Sequence, residues 1–438
     1  MNTADLLLEI AVEELPAHSL LPMVGHLAEQ LHKELAEAGF AAPDATVKQF
    51  ATPRRLGVLV SAVKGRQEDQ AVEKRGPAVA AAFDDDGNPT KALQGFARGC
   101  GVEPSELERI ETDKGEWLIF RTVAEGQQLA DFLDGVLNTI VRQMPSPRRM
   151  RWSDGDIEFL RPVLATTLMH GADVLPLTVL GTTASNTVAG HRFHAPGPFT
   201  LNQASDYEDV LLQQGKVVAS FQARRERVVE MVEKCAAAEG ASVVMDPGLV
   251  DEVTALVEWP VAVSGVYEKH FLELPKEALI QTMEENQKYF ALVDSDGKLR
   301  PGFITVSNID SSRMETVSSG NERVIRPRFA DTLFFWEKDG AQTLASRVES
   351  LEKVLFQEKL GSLLDKTVRL ESISEYMAGE FGADSVLAAR AARLSKCDLV
   401  TDTVGGWRRC KVSRVTTWQQ PMVSLRKYVP PCVSSTIR

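Results

Sequence analysis

The sequence is poor in cysteine. Its 438 residues hold five, Cys100, Cys235, Cys397, Cys410 and Cys432, and no two form a Cys-x-x-Cys pair. An odd number of widely spaced cysteines excludes a disulfide framework and a zinc ribbon, and it points to a reducing, cytoplasmic setting. Long hydrophobic runs are missing too. No stretch reaches the roughly eighteen apolar residues of a membrane span, and MNTADLLLEIAVEELP opens without a basic segment, so no anchor, signal peptide or membrane partner is expected. There is no Gly-x-x-x-x-Gly-Lys-[Ser/Thr], no Gly-x-Gly-x-x-Gly, no His-Glu-x-x-His and no Gly-x-Ser-x-Gly, which removes the common phosphate-loop, dinucleotide, zinc-protease and serine-hydrolase readings.

Metal ligands are equally scarce. His191 and His194 are the one close histidine pair, but Gly190 and Pro196 flank them, so a turn is expected rather than a helical metal site. The acidic stretch Asp84-Asp85-Asp86-Gly87-Asn88-Pro89 reads as a tight turn, since Gly95 stands where a calcium loop needs glutamate. A nucleotide-activating site of class II type needs an arginine with an acid two residues on, and Phe120-Arg121 is followed by Thr122-Val123. Its second, glycine-rich motif is imitated at Gly320-Asn321-Glu322-Arg323, with Thr316 and Ser318 where further glycines belong. No catalytic residue and no metal is assigned to this chain, and it is not expected to activate a substrate with ATP by itself.

What is present fits an ordinary globular protein, 44% hydrophobic and 25% charged, long enough for two or three domains. A formal charge of −12 excludes binding of nucleic acid through overall basicity. Local arginine clusters remain: Arg54-Arg55, Arg148-Arg149-Met150-Arg151, Arg224-Arg225-Glu226-Arg227, and GNERVIRPRFADTLFFWEKD over 320–339, where Arg323, Arg326 and Arg328 run into Phe329, Phe334, Phe335 and Trp336.

Periodicity predicts a strand from Asp5 that ends at Pro16, and a helix through Leu20, Val24, Leu27, Leu31 and Leu35 that Gly39 closes. Strands are expected at 56–63, 117–123 and 303–306, helices at 129–144 and 223–240, and a bulged strand or two over 253–267, broken by Pro260. Helical spacing dominates from 343 on. An α+β half is therefore expected to precede a helical half.

The last 33 residues, from Gly406, hold seven Lys or Arg and no acid. A basic RNA-binding arm is one reading of them, and a departure from the natural chain, such as a shifted frame with a poorly ordered tail, is the preferred one.

Several motifs, in order along the chain, carry a resemblance to a known family: Leu8-Glu9-Ile10 with Glu13-Glu14-Leu15-Pro16, Ala51-Thr52-Pro53-Arg54-Arg55-Leu56, Gly190-His191-Arg192-Phe193, Glu258-Trp259-Pro260-Val261, Gln287-Lys288-Tyr289-Phe290, and Phe356-Gln357-Glu358-Lys359-Leu360-Gly361. Together they resemble the beta subunit of bacterial glycyl-tRNA synthetase. The resemblance implies a heterotetramer of two alpha and two beta subunits that joins glycine to tRNA(Gly), with ATP and Mg2+ used by the alpha subunit and no cofactor bound by this chain. It also implies a B3/4-like domain, similar to that of the phenylalanyl-tRNA synthetase beta subunit, and a helical HD-type domain that is incomplete here. The expected order is an N-terminal α+β region (1–155), the B3/4-like domain (156–325), the helical domain (326–405) and the tail (406–438). Arg54, Arg55, Arg148, Arg149, Arg151, His191, Arg192, Arg323, Arg326 and Arg328 are the candidate tRNA contacts. For Arg323 and Arg328 the alternative is pairing with Glu322, Asp331 or Glu337. The rival functions are a hydrolase that edits mischarged tRNA and a non-catalytic RNA-binding or assembly fragment.

Overall fold

A computed structural model describes residues 3–84, 88–112, 115–146, 148–153, 155–402 and 404. The tail expected to be poorly ordered and Asp85, Asp86 and Gly87 of the acidic turn lie outside the described residues. The chain divides into two compact units, Met1–Ser220 and Phe221–Arg438.

The first unit is built on β1 (Thr3–Val12), whose last seven residues are all buried. A strand covered on both faces reads as a continuous apolar run, which explains LLLEIAV. The helix expected next is α1 (Leu20–Glu37), and all five of its predicted apolar positions are buried. Strands β2 (Val47–Thr52) and β3 (Arg55–Lys64) follow. A small subdomain then combines β4 (Gln70–Ala78), α2 (Lys91–Cys100), β5 (Glu108–Thr112) and β6 (Gly115–Ala124) in a three-stranded sheet of order β4-β6-β5. After α3 (Leu129–Gln143) come β7 (Val163–His170) and β8 (Asp173–Val174), which complete a five-stranded antiparallel sheet of order β8-β7-β1-β3-β2. Register places Leu59 and Met169 on either side of Leu7. These three enter one core cluster with Phe50, Leu201, Tyr207 and Leu211.

The division between the two units falls after Ser220. The reason lies in pairing: β7 hydrogen-bonds along β1, a contact between residues some 160 apart that no local signal reveals.

The second unit opens with α4 (Phe221–Ala238), β9 (Ser242–Val243), α5 (Pro247–Leu256) and β10 (Val261–Val266). The strand expected from 253 thus begins as helix. Asp246 caps α5 by accepting from the Leu249 N–H at 2.9 Å, with Pro247 at the first helical position. A π-helical turn at Thr282–Gln287 leads into β11 (Phe290–Val293) and β12 (Leu299–Ser307), giving a four-stranded antiparallel sheet of order β9-β11-β12-β10. Helices α4 and α5 contribute to the core on one side of it. The cluster Arg224-Arg225-Glu226-Arg227 serves this core: Arg224 is fully buried and donates to the Thr254 carbonyl at 3.0 Å, Arg225 pairs with Asp251 at 2.6 Å, and Arg227 lies 4.2 Å over the Trp259 ring.

Helix α6 (Met314–Gly340) runs through Pro327 and across the boundary expected at 325. Beyond it helical spacing is expected to dominate, but a 3-10 segment (Ala345–Lys353) and a short hairpin of Leu355–Gln357 with Gly361–Ser362 come before α7 (Leu363–Glu380) and α8 (Ser385–Leu394). Gly361, at φ +83°, closes that hairpin. The observed class is α+β, as expected. Among the described residues no helix is long and apolar enough to cross a membrane, and no group of three or more His, Cys, Asp or Glu is placed to hold a metal ion.

Candidate nucleic-acid interface

Two of the candidate arginines lie at the start of β3. Arg55 is 3% exposed; its Nη1 donates to the Ala189 carbonyl at 2.9 Å and lies 3.5 Å from the carboxylate of the buried Glu9. The Tyr207 hydroxyl donates to the same Glu9 oxygen. Burial, and then the neighbouring Glu9 charge, push the Tyr207 phenol well above its ordinary range, so it stays protonated as a donor. Arg55 is therefore an interior group that neutralises Glu9 and is closed to RNA. Arg54, in the turn before β3, is mostly covered and pairs with Glu13 at 3.4 Å, while its carbonyl accepts from the Val12 N–H at 2.9 Å. It ties the turn to the end of β1.

The Ala189 carbonyl held by Arg55 begins the loop that contains His191. This imidazole is also fully buried. Its Nδ1 accepts from the N–H groups of Phe193 at 3.3 Å and His194 at 3.2 Å, and its own backbone N–H donates to Gly215 at 2.7 Å. His191 thus caps a turn from inside rather than contacting a ligand, and the His194 ring stacks on it at 4.7 Å. Gly190 is required here because a Cβ would stand 2.2 Å from the Ala195 carbonyl oxygen. With His191 pinned inside, Arg192 is exposed and Phe193 is 67% exposed. The structure therefore brings Arg55 and His191 together as the footing of a loop that presents a guanidinium and a phenyl ring to solvent.

The cluster after α3 separates by residue. Arg149 donates to the Met144 carbonyl at 3.1 Å and to that of Arg142, so it closes the C-terminal end of α3. Arg151 is 64% exposed and only 3.9 Å from both Asp156 and Glu158, a loose pairing. Arg148 is exposed and has no ion pair among the described residues.

On α6 the three arginines also separate. Arg326 Nε lies 2.7 Å from Glu268 and Nη2 3.7 Å from Glu322, whose other oxygen accepts from the Val266 N–H at 3.0 Å. Ile325 and Phe329 are buried beside it, Phe329 against Tyr267 and Phe271 at 4.8 and 5.5 Å. Phe329 thus seats α6 on the core that includes the β-sheet residues Ala291 and Phe303, not on the later helices. Arg323 and Arg328 are exposed, and the pairing with Glu322, Asp331 or Glu337 that the sequence allowed is not formed. Neither has an ion pair among the described residues. Phe334 is 59% exposed on the same helix.

A sequence profile described as "Glycyl-tRNA synthetase beta subunit" matches residues 6–410. The chain belongs to the glycyl-tRNA synthetase beta subunit family. Among curated relatives, each named as a glycine–tRNA ligase beta subunit, it is 48% identical to that of Chromohalobacter salexigens, 46% to that of Pseudoalteromonas translucida and 44% to that of Edwardsiella ictaluri, over 92% of this chain and 58% of each relative. The chain thus spans little more than half the length of these glycyl-tRNA synthetase beta subunits.

Of the sequence candidates, Arg148, Arg192, Arg323 and Arg328 face solvent with no carboxylate partner among the described residues, whereas Arg54, Arg55, Arg149, His191 and Arg326 make contacts within the fold. Phe193 stood in a family motif but was not among the candidate contacts. Its neighbours Arg192 and His194 were the available signal, but that its ring points outward follows from the buried His191, which only the fold reveals.

Proposed function

We propose that this chain acts as the tRNA-holding subunit of a glycine–tRNA ligase, binding and positioning tRNA(Gly) in the cytoplasm while ATP- and Mg2+-dependent glycylation takes place in an alpha subunit, within an assembly of two alpha and two beta subunits. One observation carries this reading beyond family membership. In a protein of net charge −12, Arg192 beside exposed Phe193 and the pair Arg323 and Arg328 are family-motif cations that, among the described residues, face solvent without a carboxylate and so stand open to an anion. Phosphates take the guanidiniums, and a base stacks on Phe193. In the same reading the α+β part supplies the B3/4-like domain, and the helices from α7 on belong to an HD-type domain.

The test is glycylation of tRNA by this chain mixed with a bacterial glycyl alpha subunit, beside each protein alone. Activity confined to the mixture, lowered by Arg192→Ala with Arg323→Ala and Arg328→Ala while adenylate formation is unchanged, is the expected result. An equal fall in adenylate formation would mean that these cations do not act on tRNA.

A further inference from the structure

Helix α6 is held in two different ways along its length. Its buried residues, Ile325, Phe329, Thr332 and Asp339, all lie in the second part, and no residue of 314–324 is buried. The first part also runs through six weak helix formers in succession, Thr316, Val317, Ser318, Ser319, Gly320 and Asn321. Polar bonds to the sheet beneath keep it in place. Strand β10 is an edge of that sheet, bonded to β12 alone, and side chains of α6 take its outward groups: Ser318 Oγ donates to the Ser264 carbonyl at 2.6 Å, and the Glu322 carboxylate accepts from the Val266 N–H at 3.0 Å. Asn321 accepts from the Tyr289 hydroxyl at 2.6 Å. A groove of about 480 Å³ runs between helix and strand, lined by residues 261–264, Cys235, Met314, Ser318 and Glu322, so the two are not packed closely there. Pro327 has no N–H to donate to the Arg323 carbonyl, and the helical ladder therefore lacks a rung where the first part meets the anchored one.

We propose that residues 314–324 form a strap over the edge of β10, which opens as a unit about the carbonyl freed by Pro327 while the rest of α6 stays seated through Ile325 and Phe329. A segment without buried apolar side chains, of low helical propensity and fastened by exchangeable polar bonds is one that opens far more readily than the core beside it. Closed, the strap occupies strand-edge groups that would otherwise be open to pairing with another strand. Open, it bares the Ser264 carbonyl and the Val266 N–H beside Ala262, three alternate residues facing the same way, which is an edge that an extended segment can join. Arg323 lies at the end of the strap and Arg328 on the anchored part, so opening also moves one cation relative to the other; that consequence rests on the proposed tRNA contacts, whereas the strap does not.

Amide hydrogen exchange of the full chain, without RNA, tests this. The amides of 318–324 are expected to exchange at one common rate, on the order of 100-fold or more faster than those of 329–338, with the step falling next to Pro327 and the Val266 amide exchanging at the rate of the strap. Pro327→Ala, which restores the missing donor, is expected to slow 318–324 about tenfold or more and to leave 329–338 unchanged. Equal exchange along the helix would overturn the proposal. So would a gradual rise towards residue 314, which is ordinary fraying of a helix end, or a Pro327→Ala profile identical to that of the parent chain. If Pro327→Ala does not fold, Ser318→Ala with Glu322→Ala decides: faster exchange over 318–324 and at Val266, with 329–338 unchanged, supports the strap, and an unchanged profile overturns it.

Discussion

Arg55 and Arg192 are both arginines of family motifs, and they do opposite work. Arg55 neutralises a carboxylate that is 1% exposed, so removing it leaves Glu9 charged and buried without its guanidinium. Arg55→Ala is expected to destabilise the first unit by about 3–5 kcal/mol, read as a lower denaturation midpoint. Arg192→Ala is expected to leave that midpoint unchanged and to weaken tRNA binding, and Phe193→Ala to cost about 1–3 kcal/mol of binding because no ring remains for a base to stack on. A lower midpoint for Arg192→Ala would contradict the assignment. The tyrosines of the second unit carry a pH dependence. Burial pushes the Tyr289 phenol up to about 12, and its hydroxyl donates to Asn321 at 2.6 Å. A free tyrosine ionises near pH 10. The unfolded chain therefore loses the proton first, and stability that is complete below about pH 10 falls as pH rises towards 12. The difference in tyrosinate absorbance between the chain and Tyr289→Phe, followed beside a far-ultraviolet signal, checks this; ionisation of that one phenol at pH 10 with the fold intact would refute it. At this scale residue type was legible in the sequence, but exposure was not. The motif Thr-Pro-Arg-Arg gives no sign that the second arginine turns inward.

At the scale of elements, α6 combines three roles: Phe329 packs it down, Arg326 fastens its flank to Glu268, and Arg323 and Arg328 face solvent. Because the Arg326 pair is about half exposed, Arg326→Ala is expected to cost no more than about 1 kcal/mol of stability, which urea titration of the single variant measures. A loss of several kcal/mol would mean that this pair anchors the unit. Long amphipathic elements were readable beforehand: α1 and β3 lie where apolar spacing put them. Two errors share a physical cause. The apolar run from Val253 has no decisive period, so the cap at Asp246 decided in favour of helix. The segment 343–362 carries helical spacing, yet it forms a 3-10 turn and a hairpin closed by Gly361. Its side chains could serve either geometry, and glycine at positive φ favoured the turn.

For the whole molecule, family membership was legible because short motifs spread along nearly the entire chain are specific only jointly. The pairing of β7 with β1 across the intervening subdomain was not, because it joins residues some 160 apart. An acidic protein that binds an anionic polymer does so through local cations and not through its net charge, and such binding weakens with salt in proportion to the phosphates neutralised. The measurement that tests this most directly is tRNA(Gly) affinity of the full chain as a function of salt concentration. For Arg323→Ala with Arg328→Ala, the slope of log affinity against log salt is expected to be shallower by up to about 2, roughly one for each phosphate that is no longer neutralised, and for Arg326→Ala it is expected to be unchanged. Identical slopes for all three proteins would contradict the claim that the exposed arginines of α6 hold tRNA.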